Sequence, residues 1–182
     1  MHKTMPFANT AGFDFGTETQ PEWNNRLFLD LDGVMADFTA HFIEKFGVHH
    51  NTMSQPELKS KVISHGNFYR HLPLCPGAME FFLKIQHRNP IILTAVLKDD
   101  YFVGAADKRD WVHETLSPEL LVLPAYGSSS KHLYLQRPGD VLIDDWDPNI
   151  RRWTECGGIG IHHRGDFDST YNTLMEIVSK AA

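Results

Sequence analysis

Five short apolar runs constrain this chain more than any other feature: Leu27 to Leu31, Ile91 to Leu93, Leu120 to Leu123, Val141 to Ile143 and Ile159 to Ile161. Each is nearly continuous rather than alternating, the pattern of a strand covered on both faces, as in parallel sheets. Helical patterns separate them. Phe38, Phe42, Ile43 and Phe46 recur at helical spacing and Gly47 follows as a cap, while Ser54 and Glu57 form a capping-box signature for a second helix that Gly66 would end. Met79, Phe82 and Leu83 are expected on one side of a helix within residues 77–87, and Lys108, Trp111, Val112 and Thr115 in a further one. Two more helices are expected after Pro148 and Phe167. Strands alternating with helices predict an α/β fold, a three-layer α/β/α Rossmann-like core whose ligand sites lie beyond the carboxyl ends of the strands.

With 182 residues, 42% of them hydrophobic and 22% charged, the chain can bury one sizeable core with a small insertion. A formal charge of -6 without any basic run argues against a surface for extended nucleic acid. Cys75 and Cys156 stand apart, with neither a CxxC nor zinc-finger spacing, so no disulfide framework or structural zinc is expected. The first 25 residues carry Asp14, Glu18 and Glu22 and no Arg, unlike a secretory or mitochondrial leader. No apolar run approaches the ~20 residues of a membrane helix. The expectation is a cytoplasmic protein with no membrane contact. Residues 1–25 read as an arm, 26–37 and 77–182 as the core, and 38–76 as a small helical cap inserted after the first strand.

The chemistry lies at the strand ends. The first strand ends in Asp30-Leu-Asp32-Gly33 and the fourth in Asp144-Asp145, so three or four carboxylates converge at one rim of a parallel sheet. Unit charges 4 Å apart repel by roughly 4 kcal/mol at an effective dielectric of 20, so such a cluster calls for a cation or strong hydrogen bonding. All-oxygen ligands favour magnesium over zinc. Thr94 ends the second apolar run with a hydroxyl, and Lys131, after three serines, brings an ammonium that can neutralise phosphate. Taken singly, each has a plain alternative: the Asp pairs as turn and cap residues, Thr94 as a turn residue, Lys131 as a solvated side chain.

Taken in order, Asp30-Leu-Asp32-Gly33-Val, Thr94, Lys131 and Asp144-Asp145 resemble the four motifs of the haloacid dehalogenase superfamily, over roughly residues 26–163. The resemblance implies that Asp30 attacks phosphorus to form an aspartyl-phosphate and that Asp32 serves as acid and base. It implies that Thr94 and Lys131 hold phosphoryl oxygens, and that Mg2+ is bound by Asp30, the Asp32 carbonyl and one carboxylate of the fourth motif. Asp145 is the first choice there and Asp144 the supporting residue.

The run from Asn67 to Ala78, the run from Thr94 to Lys98 and the run from Lys108 to Val112 resemble the 5'(3')-deoxyribonucleotidases. That likeness implies that Lys98 and Ala95 join the phosphate cradle, with Ala95 standing where Ser is usual, and that Phe38 and Phe68 form an aromatic wall beside a nucleobase. Tyr69 is a lesser candidate. The implied partner is a small phosphomonoester, first a deoxynucleotide, and a homodimer is left open. Other small phosphoesters, a polynucleotide 3'-phosphate, transfer to an acceptor other than water, and a catalytically silent binding protein remain alternatives. Neighbouring residues point apart on a strand, so His162 and His163 are expected at the surface or approaching a helix rather than on one metal.

Overall fold

A computed structural model describes residues 24–181. In chain order the elements are β1 (Leu27–Leu29), α1 (Phe38–Phe46), α2 (Gln55–His65), α3 (Ala78–Ile85), β2 (Ile91–Val96), α4 (Tyr101–Thr115), β3 (Val122–Tyr126), β4 (Val141–Asp144), α5 (Asp147–Glu155), β5 (Ile159–His162) and α6 (Phe167–Ala181), joined by short 3-10 turns. The strands form one parallel sheet in the order β3-β2-β1-β4-β5. β1 therefore lies at the centre and ends beside the ends of β2 and β4. The arm expected over residues 1–25 lies, apart from Asn24 and Asn25, outside the described residues.

Strand residues alternate between two buried layers. Leu27, Leu29, Ile92, Val141 and Ile143 face a core built with α3, α4 and α6, while Phe28, Leu93, Ala125 and Leu142 face Trp153 of α5. Helices thus cover both faces, giving the three-layer α/β/α fold. β3 begins two residues later than the apolar run and continues through Pro124, which pairs with Thr94. As an edge strand it tolerates the missing amide donor. α3 buries Ala78, Phe81, Phe82 and Ile85, whereas Leu83, expected on that inner side, is exposed.

A largely helical segment leaves the core just after β1. Asp37 N–H donates to the Pro73 carbonyl at 2.8 Å and Cys75 N–H to the Met35 carbonyl at 2.9 Å, so its departing and returning chains are stapled into a neck. Asp37 caps α1 through the Ala40 amide, Gly47 ends it at φ +70°, and Glu57 accepts from both the amide and hydroxyl of Ser54 ahead of α2. The segment has no core of its own. Phe42, Val62 and Phe68 belong to the same buried cluster as Leu29 and Ile92. Arg70 pairs with Asp110 and Glu114 of α4, and Trp111 donates its indole N–H to the Leu72 carbonyl at 2.7 Å. No helix among the described residues is long and apolar enough to cross a membrane.

Candidate active site

The residue after β1, Asp30, is 5% exposed, and its Oδ1 accepts from the Leu31 amide at 2.7 Å and lies 2.6 Å from the Lys131 ammonium. Lys131, itself 2% exposed, also donates to Asp144 Oδ2 at 2.7 Å. Burial works against the lysine charge, but Asp30 and Asp144 outweigh it and hold its pKa above the ordinary value. For Asp30 the balance runs the other way. Burial, then repulsion from Asp144, push its pKa well above the ordinary carboxylate range; Lys131 counteracts this, while Asp145 and Asp32 add to it.

The two carboxylates after β4 have different surroundings. Asp144 is fully buried, and its oxygens take hydrogen bonds from Lys131, from the Trp146 amide at 2.8 Å and from Asn149 Nδ2 at 3.1 and 3.3 Å. Asp145 is an exposed residue, yet its carboxylate presses against the turn glycine Gly33. Desolvation there, then Asp144, push its pKa up to about 6, with Lys131 opposing and Asp32 adding. Asp30, Asp144 and Asp145 offer carboxylate oxygens within 4.8 Å of one another. With Asp32, the site gathers four carboxylates around two buried ammonium groups, those of Lys108 and Lys131. An all-oxygen cluster with surplus negative charge fits a hard divalent cation. Since Asp144 is committed to Lys131 and Asn149, Asp145 is the better placed ligand.

Asp32 and Thr94 differ from the sequence expectation in their partners. The Asp32 Oδ2 is paired with the ammonium of Lys108, which also donates to Thr94 Oγ1 at 3.0 Å and to the Ala95 carbonyl at 2.6 Å. Thr94 is completely buried with its hydroxyl on Lys108, and it does not line the cavity. In the sequence Lys108 is a helix residue and the first of the run to Val112, and nothing there ties it to Asp32. Its spacing of three and four from Trp111 and Val112 puts it on the core face of α4, and a lysine on an apolar face is the signal of a buried charge. Asn149, the clamp on Asp144, left no comparable mark in the sequence.

Asp30, Asp32, Ala95, Lys98, Lys131 and Asp145 line a cavity of about 450 Å³ between the strand ends and the helical segment. Lys98 reaches it from the turn after β2, its ammonium 5.2 Å from the ring centre of Tyr126. Phe38, His50, Gln55, Leu58, Lys59 and Tyr69 form the opposite wall. Phe68 does not line the cavity. It is 1% exposed and packs edge-on behind Phe38 with centroids 5.3 Å apart, and its neighbour Tyr69 faces the cavity instead. His162 bonds through Nε2 to the Asp145 carbonyl at 2.9 Å, whereas His163, of the two positions expected for it, is not at the surface but buried on the approach to α6, with Nδ1 2.8 Å from Thr170 Oγ1.

No family model matches the chain. A crystal structure of a hydrolase from Streptococcus pneumoniae TIGR4 is similar over 84% of this chain and 98% of that one, at 13% identity and a TM-score of 0.45. That likeness is too loose to bear on chemistry.

Proposed function

We propose that this chain is a magnesium-dependent phosphomonoester hydrolase that works through an aspartyl-phosphate on Asp30 and takes small phosphate esters, deoxyribonucleoside monophosphates foremost. The observation that carries this reading is the buried Asp30–Lys131–Asp144 chain at the carboxyl end of the central strand, opening into a cavity. A carboxylate nucleophile beside a fixed ammonium suits attack on phosphorus, because the ammonium offsets charge on the transferring group. The resemblance of the four ordered motifs to the haloacid dehalogenase phosphatases points the same way.

With Asp30 Oδ1 held by Leu31 and Lys131, Oδ2 is the oxygen left to form the bond to phosphorus. Asp32 gives its proton to the leaving oxygen as the ester bond breaks, and later takes one from the water that releases phosphate. Lys131 and Lys98 meet the phosphoryl oxygens, and the Ala95 backbone amide replaces the hydroxyl that its side chain lacks. Asp30, Asp145 and the Asp32 carbonyl would hold magnesium, which supplies Lewis-acid neutralisation of phosphoryl charge. Phe38 and Tyr69 provide flat faces for a base.

Phosphate release at neutral pH, with and without magnesium, from deoxy- and ribonucleoside 5'- and 3'-monophosphates and from sugar phosphates tests this, beside an Asp30→Asn control. Magnesium-dependent turnover preferring deoxynucleotides and lost in the control is expected. Turnover of other esters alone would remove the nucleotide assignment, and a well-folded, metal-loaded protein inactive on every ester would remove the enzyme.

A further inference from the structure

Trp146 stands between Asp145 and α5 with its backbone fixed from both sides. Its amide donates to Asp144 Oδ1 at 2.8 Å, and its carbonyl accepts from the Asn149 amide at 2.9 Å and the Ile150 amide at 3.3 Å. The side chain has no such ties. It is 57% exposed, whereas Trp111 and Trp153 are buried and donate their indole N–H groups to the carbonyls of Leu72 and Asp140. Among the described residues, no ring or cation packs on the Trp146 indole and nothing accepts from its N–H.

On stability grounds the position suits tryptophan poorly. It is the N-cap of α5, where Ser, Thr, Asp or Asn would accept from an amide of the first turn, and Trp146 makes no side-chain cap hydrogen bond. A broad apolar ring is left in water at the same residue. Two local rules broken together mark a position selected for something other than folding. Trp146 lines the cavity from the core side, next to Asp145. On the opposite wall the rings are already engaged: Phe38 packs among Phe42, His50 and Phe68, and the Lys108 ammonium lies over Tyr69, 4.4 Å from the ring centre. The unclaimed flat face at the cavity is the indole.

We infer that Trp146 is a specificity-determining residue on which the planar part of the leaving group stacks, so that the site selects phosphate esters bearing a nucleobase over the sugar phosphate alone. This rests on the phosphatase reading above. Stacking is tolerant of base identity, since every base has a π-face. Trp146 therefore asks whether a base is present, not which one.

Thymidine 5'-monophosphate and 2-deoxyribose 5-phosphate share phosphate and sugar and differ in the base, so the ratio of their kcat/KM values reads the contact. Trp146→Leu, apolar but not flat, is expected to lower that ratio at least about 10-fold, within the range of base–aromatic stacking, and to do so through KM for the nucleotide. Trp146→Phe, which keeps a flat ring, should hold the ratio within about 3-fold of the parent. Trp146→Ser, suited to the N-cap, should lower the ratio as Leu does while melting no lower than the parent, a combination that a purely structural indole would not give. A ratio unchanged in the Leu and Ser variants, equal losses on both esters, or a parent with no preference for the nucleotide would overturn the inference and leave the phosphatase standing. A parent inactive on these and on every other phosphomonoester would overturn both.

Discussion

Gly33 and Asp145 meet so closely that a side chain on the glycine would overlap the carboxylate. The glycine also holds φ at +79°, a conformation that costs an L-residue roughly 1–2 kcal/mol. Gly33→Ala therefore displaces Asp145 as well as straining the turn. We expect magnesium affinity by titration calorimetry to fall at least about 10-fold, with melting lowered by a few degrees. Unaltered affinity would show that Asp145 is not a ligand.

The raised pKa of Asp145 gives a signed prediction. In the cation-free protein its charge opposes folding above about 6, and the penalty disappears as pH falls toward the ordinary 3.8. Asp145→Asn should then melt higher than the parent in EDTA at pH 8, with the difference shrinking toward pH 4. Added magnesium should raise the parent and not the variant. A difference that widens on acidification contradicts the assignment.

His41 acts in the opposite direction. Only 2% exposed, with neither ring nitrogen hydrogen-bonded, it packs against Phe68 and His65. Burial first, then Lys45, His65 and His71, depress its pKa, with Glu44 opposing. Its contribution to stability is thus present above 6.5 and lost as pH falls through its depressed value. His41→Phe removes two orphaned polar atoms and the proton, so it should raise the melting temperature modestly at pH 8 and by more at pH 5. Equal gains at both pH values would mean that protonation of His41 plays no part.

Phe38 and Phe68 should separate recognition from stability. Phe68→Ala empties a fully buried site and should cost about 3–5 kcal/mol, read by urea denaturation. Phe38→Ala should cost less and instead raise KM for nucleotides several-fold while sparing a small alkyl phosphate. If both variants lose stability alike and KM holds, the aromatic wall has no part in binding.

The central strands and the rim carboxylates were legible because period, length and strand-end position all act locally. Residues 27–31 could be read as one buried strand ending in acid without knowledge of their neighbours. What escaped depends on pairs distant in sequence. Lys108 has meaning only beside Asp32, 76 positions away, and Phe68 and Tyr69 exchange their expected places because a 3-10 turn, not a strand or helix, decides which ring faces the cavity. The full reach of β3 was hidden by Pro124, whose cost depends on whether the strand is an edge. Asp144 and Asp145 were a pair in sequence; only the bonds from Lys131 and Asn149 told them apart.

The neck at Met35–Asp37 and Pro73–Cys75 makes the helical segment look detachable, since its ends sit side by side like those of a cassette. Phe42, Val62 and Phe68, however, tie it into the cluster that seals the sheet. A lineage carrying this fold cannot therefore trade this helical segment for another as an accessory. Any replacement must bring its own plug for the sheet, and a graft matched only at the neck should yield a chain that aggregates before its specificity can be read.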